Sequence, residues 1–97
     1  MTSAVAAGKS TREGDEAYAK TVLEISDRWR IVACRDGIQW IVQKRVSAKG
    51  ATREQWRGVK YHRSREGLIE ALVRLEIRLT ALQRATLLAL PLMAGPS

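Results

Sequence analysis

The chain has 97 residues, 45% hydrophobic and 28% charged, with 17 Lys or Arg against 10 Asp or Glu and a net charge of +7. That length supports one small domain with a modest core, and the charge suits a polyanionic partner. Cys34 and His62 are the sole cysteine and histidine, so an internal disulfide and a Cys/His zinc site are excluded.

Residues 1–20 are small, polar and without a lasting period, and read as a mobile N-terminal tail. The opening apolar run is too short for a secretory leader. AAGKST resembles the end of a phosphate-binding loop, but Ser3 stands where that loop needs its first glycine and no strand precedes it. The structured domain is expected over 21–90, with room for a short extended segment in TVLEIS from Thr21.

A hairpin is predicted over 28–45, turning at Asp36-Gly37 as a two-residue type I′ turn. That turn sets Ala33 opposite Trp40, Ile31 opposite Val42 and Trp29 opposite Lys44. By alternation, Trp29, Ile31, Ala33, Ile38, Trp40 and Val42 form a core face. Arg28, Arg30, Gln39, Gln43 and Arg45 fall on the other face, with Val32, Cys34 and Ile41 among them.

After a basic loop, QWRGVKYH over 55–62 reads as the third strand, with Val59 and Tyr61 facing the core. Gly58 marks a bulge or a close approach. Trp56 is core in one register and on the basic face in the other. Ser64 is the expected N-cap of a helix over 65–79, with Glu66 in its first turn and Leu68, Leu72, Leu75 and Leu79 forming an apolar stripe. A break near Thr80 precedes a short C-terminal helix over 80–90, stopped by Pro91. Residues 91–97 read as a frayed end. Arg74, Glu76, Arg78 and Arg84 interrupt the apolar run too often for a membrane span, which needs about 20 nearly uncharged residues. The fold class is therefore α+β: a three-stranded antiparallel sheet packed on one long helix, with a short C-terminal helix.

The positive charge is concentrated. Residues 28–65 hold eleven Lys or Arg and two acids, whereas the rest of the chain holds six and eight. Arg28, Arg30, Gln39, Gln43 and Arg45 have the chemistry for base edges in the major groove, which a β-sheet face can enter. Lys44, Lys49, Arg53, Arg57, Lys60 and Arg63 suit phosphates, which position a protein without specifying sequence.

Strand order and the WRG of Trp56–Gly58, followed by SREGLIEAL, resemble the ethylene-response-factor type DNA-binding domain, also found in integrase arm-binding domains. The likeness covers residues 28–79. It implies a three-stranded sheet that reads the major groove with the face opposite its helix. LIEALVRLEIRL departs from that family's helix, with its paired alanines and aromatic, so contact residues are not carried over. ISDRWRIV, GIQWIVQKR and SREGLIEAL also resemble small uncharacterised proteins of alphaproteobacterial chromosomes and mobile elements, a group with no agreed activity.

The expectation is a small basic cytoplasmic protein that binds double-stranded DNA through its sheet face, regulatory or mobile-element associated. The rival is a protein-interaction module, for example a phage-encoded anti-defence protein, docking on a larger protein. Leu79, Leu82, Leu87, Leu88 and Leu90 exceed what a three-stranded sheet can cover and mark an expected homodimer or partner interface. No catalytic constellation is visible, so neither an enzyme nor a cofactor is expected.

Overall fold

A computed structural model describes residues 13–14, 18–46 and 55–95. It is α+β, with one antiparallel sheet of four strands in the order β1 (Thr21–Glu24), β2 (Trp29–Ala33), β3 (Trp40–Val46) and β4 (Gln55–His62). The expected three strands thus gain a fourth. Leu23 pairs with Ile31 and Glu24 with Arg30, so β1 satisfies the outer edge of β2, and Val22, Leu23 and Ile25 add to the core. Two helices follow, α1 (Arg65–Arg74) and α2 (Ala81–Leu88).

The hairpin register is the expected one: Trp29 opposite Lys44, Ile31 opposite Val42 and Ala33 opposite Trp40. The turn is different. Gly37 alone takes a positive φ, 72°, and its N–H donates to the Cys34 carbonyl at 2.9 Å, while the Cys34 N–H donates to Gln39. A four-residue loop, 35–38, replaces the two-residue turn. It is longer by one residue on each side, so the register survives, but Ile38 leaves the core face and is exposed.

In β4, Gln43 pairs with Gly58 and Val42 with Lys60, so Val59 is the extra residue of a bulge. The bulge flips the alternation: Trp56, Gly58 and Tyr61 share the face away from the helices, and Lys60 and His62 the helix face. Val59 and Tyr61, expected in the core, are exposed for this reason. The Tyr61 ring lies directly over Gly58, so a Cβ there would require the exposed Tyr61 side chain to move. Trp56 is buried on the second face.

Ser64 caps α1 as expected, accepting from the Gly67 N–H at 3.0 Å. The helix ends at Arg74, five residues short of the expected Leu79. Glu76 takes φ 57°, its N–H donates to the Val73 carbonyl, and the Ile77 N–H donates to the Leu72 carbonyl, both at 3.0 Å. That is a Schellman stop with a glutamate in the left-handed position usually held by glycine, and Ile77 folds back onto the core beside Leu72. Thr80 then opens α2 with a capping box, Thr80 to Gln83 and back. Gln83 Nε2 also donates to the Ile25 carbonyl at 2.8 Å, tying α2 to the end of β1.

The main core is Ile31, Trp40, Val42, Leu68, Leu72 and Leu87. Of the C-terminal residues expected to fray, Leu92, Met93 and Ala94 are held. Ser64 and Met93 form a β-bridge, Arg65 N–H donates to Leu92 at 2.8 Å and Ala94 N–H to Arg63 at 2.7 Å. Among the described residues, no helix is long and apolar enough to cross a membrane.

A left-handed non-glycine residue costs about 1 kcal/mol. Glu76→Gly is therefore expected to raise stability by about 0.5–1 kcal/mol, and the β-branched Glu76→Val to lower it, in urea unfolding followed by circular dichroism.

Candidate nucleic-acid interface

The sheet face away from the helices has its own cover. Val32, Ile41, Cys34 and Tyr18 form a second buried cluster, with Tyr18 4% exposed. The Tyr18 hydroxyl donates to the Ala33 carbonyl at 2.8 Å, and the Ala33 N–H donates to Lys20. Glu13 and Gly14 lie over the same face: the Trp56 N–H donates to the Gly14 carbonyl at 2.9 Å, and the Arg35 N–H to the Glu13 carboxylate. These residues, read from sequence as part of a mobile tail, are packed because Val32 and Ile41 need an apolar cover.

That cover decides the fate of the expected groove-reading residues. Arg30 and Gln43 are each only 2% exposed. Arg30 Nε donates to Gln43 Oε1 at 2.6 Å, and Arg30 Nη2 and Gln43 Nε2 both donate to the Glu13 carbonyl, at 3.0 and 2.8 Å. The Arg30 guanidinium also stacks 4.5 Å from the centroid of the Trp56 ring. A guanidinium kept from water needs its donors matched and an electron-rich face beside it, and this site supplies both. Arg30 and Gln43 thus build the face rather than present it.

Gln39 is half-buried just after the hairpin loop, where its carbonyl accepts from the Cys34 N–H. Arg45, half-buried, stands 4.5 Å from the Trp56 ring centroid, with its Nε donating to the Asp27 carbonyl at 2.5 Å. Arg28, Arg57, Lys60 and Arg63 are exposed, and Lys44 is half-buried with its ammonium 5.8 Å from the Trp29 ring centroid. Lys49 and Arg53 lie outside the described residues.

The sheet brings several of these cations together. The Arg45 N–H donates to the Arg28 carbonyl at 2.8 Å, so Arg28, Arg45 and Trp56 share one rung. The next rung is Trp29, Lys44 and Arg57. One end of the sheet therefore carries Arg28 and Arg45 on the face away from the helices and Lys44 and Arg57 on the other, with Lys60 further along β4. Among the described residues, no carboxylate lies within ion-pairing distance of Arg28, Lys44, Arg57 or Lys60; the ion pair present is Arg74 to Glu70, 3.7 Å apart on α1. Directly opposed like charges such as Lys44 and Arg57 repel, and an anion between them relieves that repulsion.

The expected partner-interface leucines separate. Leu87 is in the core, Leu79 and Leu90 pack against it, and Leu82 and Leu88 are exposed. No group of His, Cys, Asp and Glu among the described residues is arranged to hold a metal ion. In comparison with known proteins, no family model, no curated protein and no solved structure matches this chain.

Sequence reasoning missed the role of Tyr18 and the burial of Arg30. A signal was available: Val32, Cys34 and Ile41 share a face with Arg30 and Gln43, and an apolar patch there required a cover.

Gln43→Ala strands buried donors of Arg30 and is expected to cost about 2 kcal/mol in denaturant unfolding, whereas Arg57→Ala changes stability little. The Tyr18 hydroxyl is raised above its ordinary 10.0, first by burial and then by the nearby Glu13 carboxylate and Cys34, with Arg35 and Arg30 opposing. A raised folded value means that this stabilisation is whole below the unfolded value and is lost as pH rises through the folded one. Stability is therefore expected to fall above about pH 10. Tyr18→Phe should flatten that decline while costing about 1 kcal/mol at neutral pH, as read by unfolding midpoints across pH.

Proposed function

We propose that the protein binds double-stranded DNA through the cationic end of its sheet, as a small regulatory or mobile-element associated protein. The observation that carries this reading is the pair of adjacent rungs holding Arg28, Arg45, Lys44 and Arg57, with no carboxylate within ion-pairing distance of Arg28, Lys44 or Arg57 among the described residues. Cations so placed neutralise phosphates and release counterions. Lys60 on β4 and Arg63 just after it are exposed, and with Lys49 and Arg53, between β3 and β4 in sequence, they extend the same charge along the chain.

With Arg30 and Gln43 buried, this reading assigns the contacts mainly to phosphate, and base reading to few side chains. Affinity should then depend strongly on salt and weakly on sequence. The resemblance to the ethylene-response-factor type domain supports a sheet as the contacting layer, with the contact displaced from the face to its end.

Fluorescence anisotropy of a labelled duplex, titrated at several salt concentrations, tests this. Arg28→Ala/Lys44→Ala/Arg57→Ala is expected to weaken binding and to lower the salt slope by about 0.9 for each phosphate no longer neutralised. Arg74→Ala/Arg84→Ala on the helices should leave both unchanged. Failure of folded wild-type protein to bind at low salt would refute the proposal and favour the protein-interaction reading.

A further inference from the structure

The bend between the two helices leaves a groove of about 720 Å³ bounded by α1, the connection after it and α2. Leu72 and Leu87 line it from the core, while Val73 and Leu88 line it and remain 69% and 52% exposed. Beyond it, Leu82 is 78% exposed on α2. Apolar side chains left in water on two neighbouring helices mark a surface that a partner covers. The charged lining is Glu76, Arg78 and Arg84, one carboxylate against two guanidiniums, so the groove is net positive. All three side chains are exposed, and among the described residues none of them makes a hydrogen bond or an ion pair. Glu70, by contrast, is already held by Arg74.

We infer that the groove takes an amphipathic helix of a partner protein, with an apolar stripe flanked by Asp and Glu. The trough is open, so a small ligand would stay largely in water, whereas a pocket that holds one encloses most of its surface. Much of the lining stands on α1 and α2, whose backbone groups are bonded within those helices. An extended peptide would find few backbone partners there, but a helix arrives with its own already bonded and needs only an apolar seat. The charge then selects the sign. Unpaired Arg78 and Arg84, in a chain of net charge +7, attract acidic flanks and repel basic ones. A second copy of the chain is disfavoured on the same ground, because it would bring the same net-positive patch and another +7 against it. The inference does not depend on nucleic-acid binding.

Panning the full-length chain, without DNA, against a displayed library of amphipathic helical peptides of about five turns tests this, with the flanking residues varied among Glu, Lys, Gln and Ser. The recovered peptides should be rich in Glu. Val73→Glu and Leu88→Glu, made separately, should each weaken their binding by about tenfold or more, because each places a carboxylate in the apolar seat. Both side chains are exposed, so the fold should persist, and circular dichroism checks that it does. Arg78→Glu/Arg84→Glu should turn the selection toward Lys-rich peptides. Lys60→Glu on β4 should leave binding nearly unchanged, which separates the groove from general attraction to the basic sheet. Recovery of no peptide, no preference for acid, or binding indifferent to both apolar substitutions would overturn the inference. So would sedimentation of the chain alone at twice its 10.8 kDa, with Val73→Glu restoring the monomer, since a second copy would then fill the groove.

Discussion

Arg30 is withdrawn from water at the centre of a strand, and the groups that accommodate it come from three distant parts of the chain. Glu13 contributes a backbone carbonyl, Gln43 a side-chain oxygen and Trp56 the face of its ring. Removing any one leaves part of a buried charge unmatched, which is more damaging than deleting an ordinary surface interaction. The second face of the sheet is therefore assembled around one guanidinium. Its apolar neighbours, Tyr18, Val32, Cys34 and Ile41, continue the same layer toward the hairpin turn.

Covering both faces changes what the charge is for. A three-stranded sheet with a bare polar face would present Arg30 and Gln43 to a ligand, whereas here they serve packing. Of the remaining cations, Arg28, Arg45, Lys44 and Arg57 stand on adjacent rungs at one end of the sheet. The helices lie at a different electrical level, with nearly balanced charge and partly apolar. Charge and exposed apolar surface thus occupy separate regions.

The C-terminal half is closed by backbone groups as much as by side chains. Arg65 Nη1 donates to the carbonyls of Leu88 and Leu90, at 2.8 and 2.9 Å, satisfying the end of α2 from the start of α1. The bridge from Ser64 to Met93 fastens the same corner. With the Schellman stop at Glu76, these interactions make α1 and α2 a bent pair over the sheet, and the groove between them follows from that bend.

Local pattern by itself determined the hairpin register, the Ser64 cap, the facing of Ile31, Trp40 and Val42, and the division of charge between sheet and helices. Each depends on neighbours in sequence or on the alternation of a strand, so short-range rules suffice. Tertiary structure decided the rest. The leucine period runs on to Leu79, but α1 stops at Arg74 because Ile77 gains more by folding onto the core than by extending the helix, and no glycine announces it. The bulge at Val59 reverses the facing of the residues after it, and nothing in VKYH marks that parity. Arg30 and Gln43 look like solvent-facing residues because alternation assigns a side chain to a face without saying what covers that face. The cover comes from Glu13, Gly14 and Tyr18, distant in sequence and close in space, and only the folded chain brings them together.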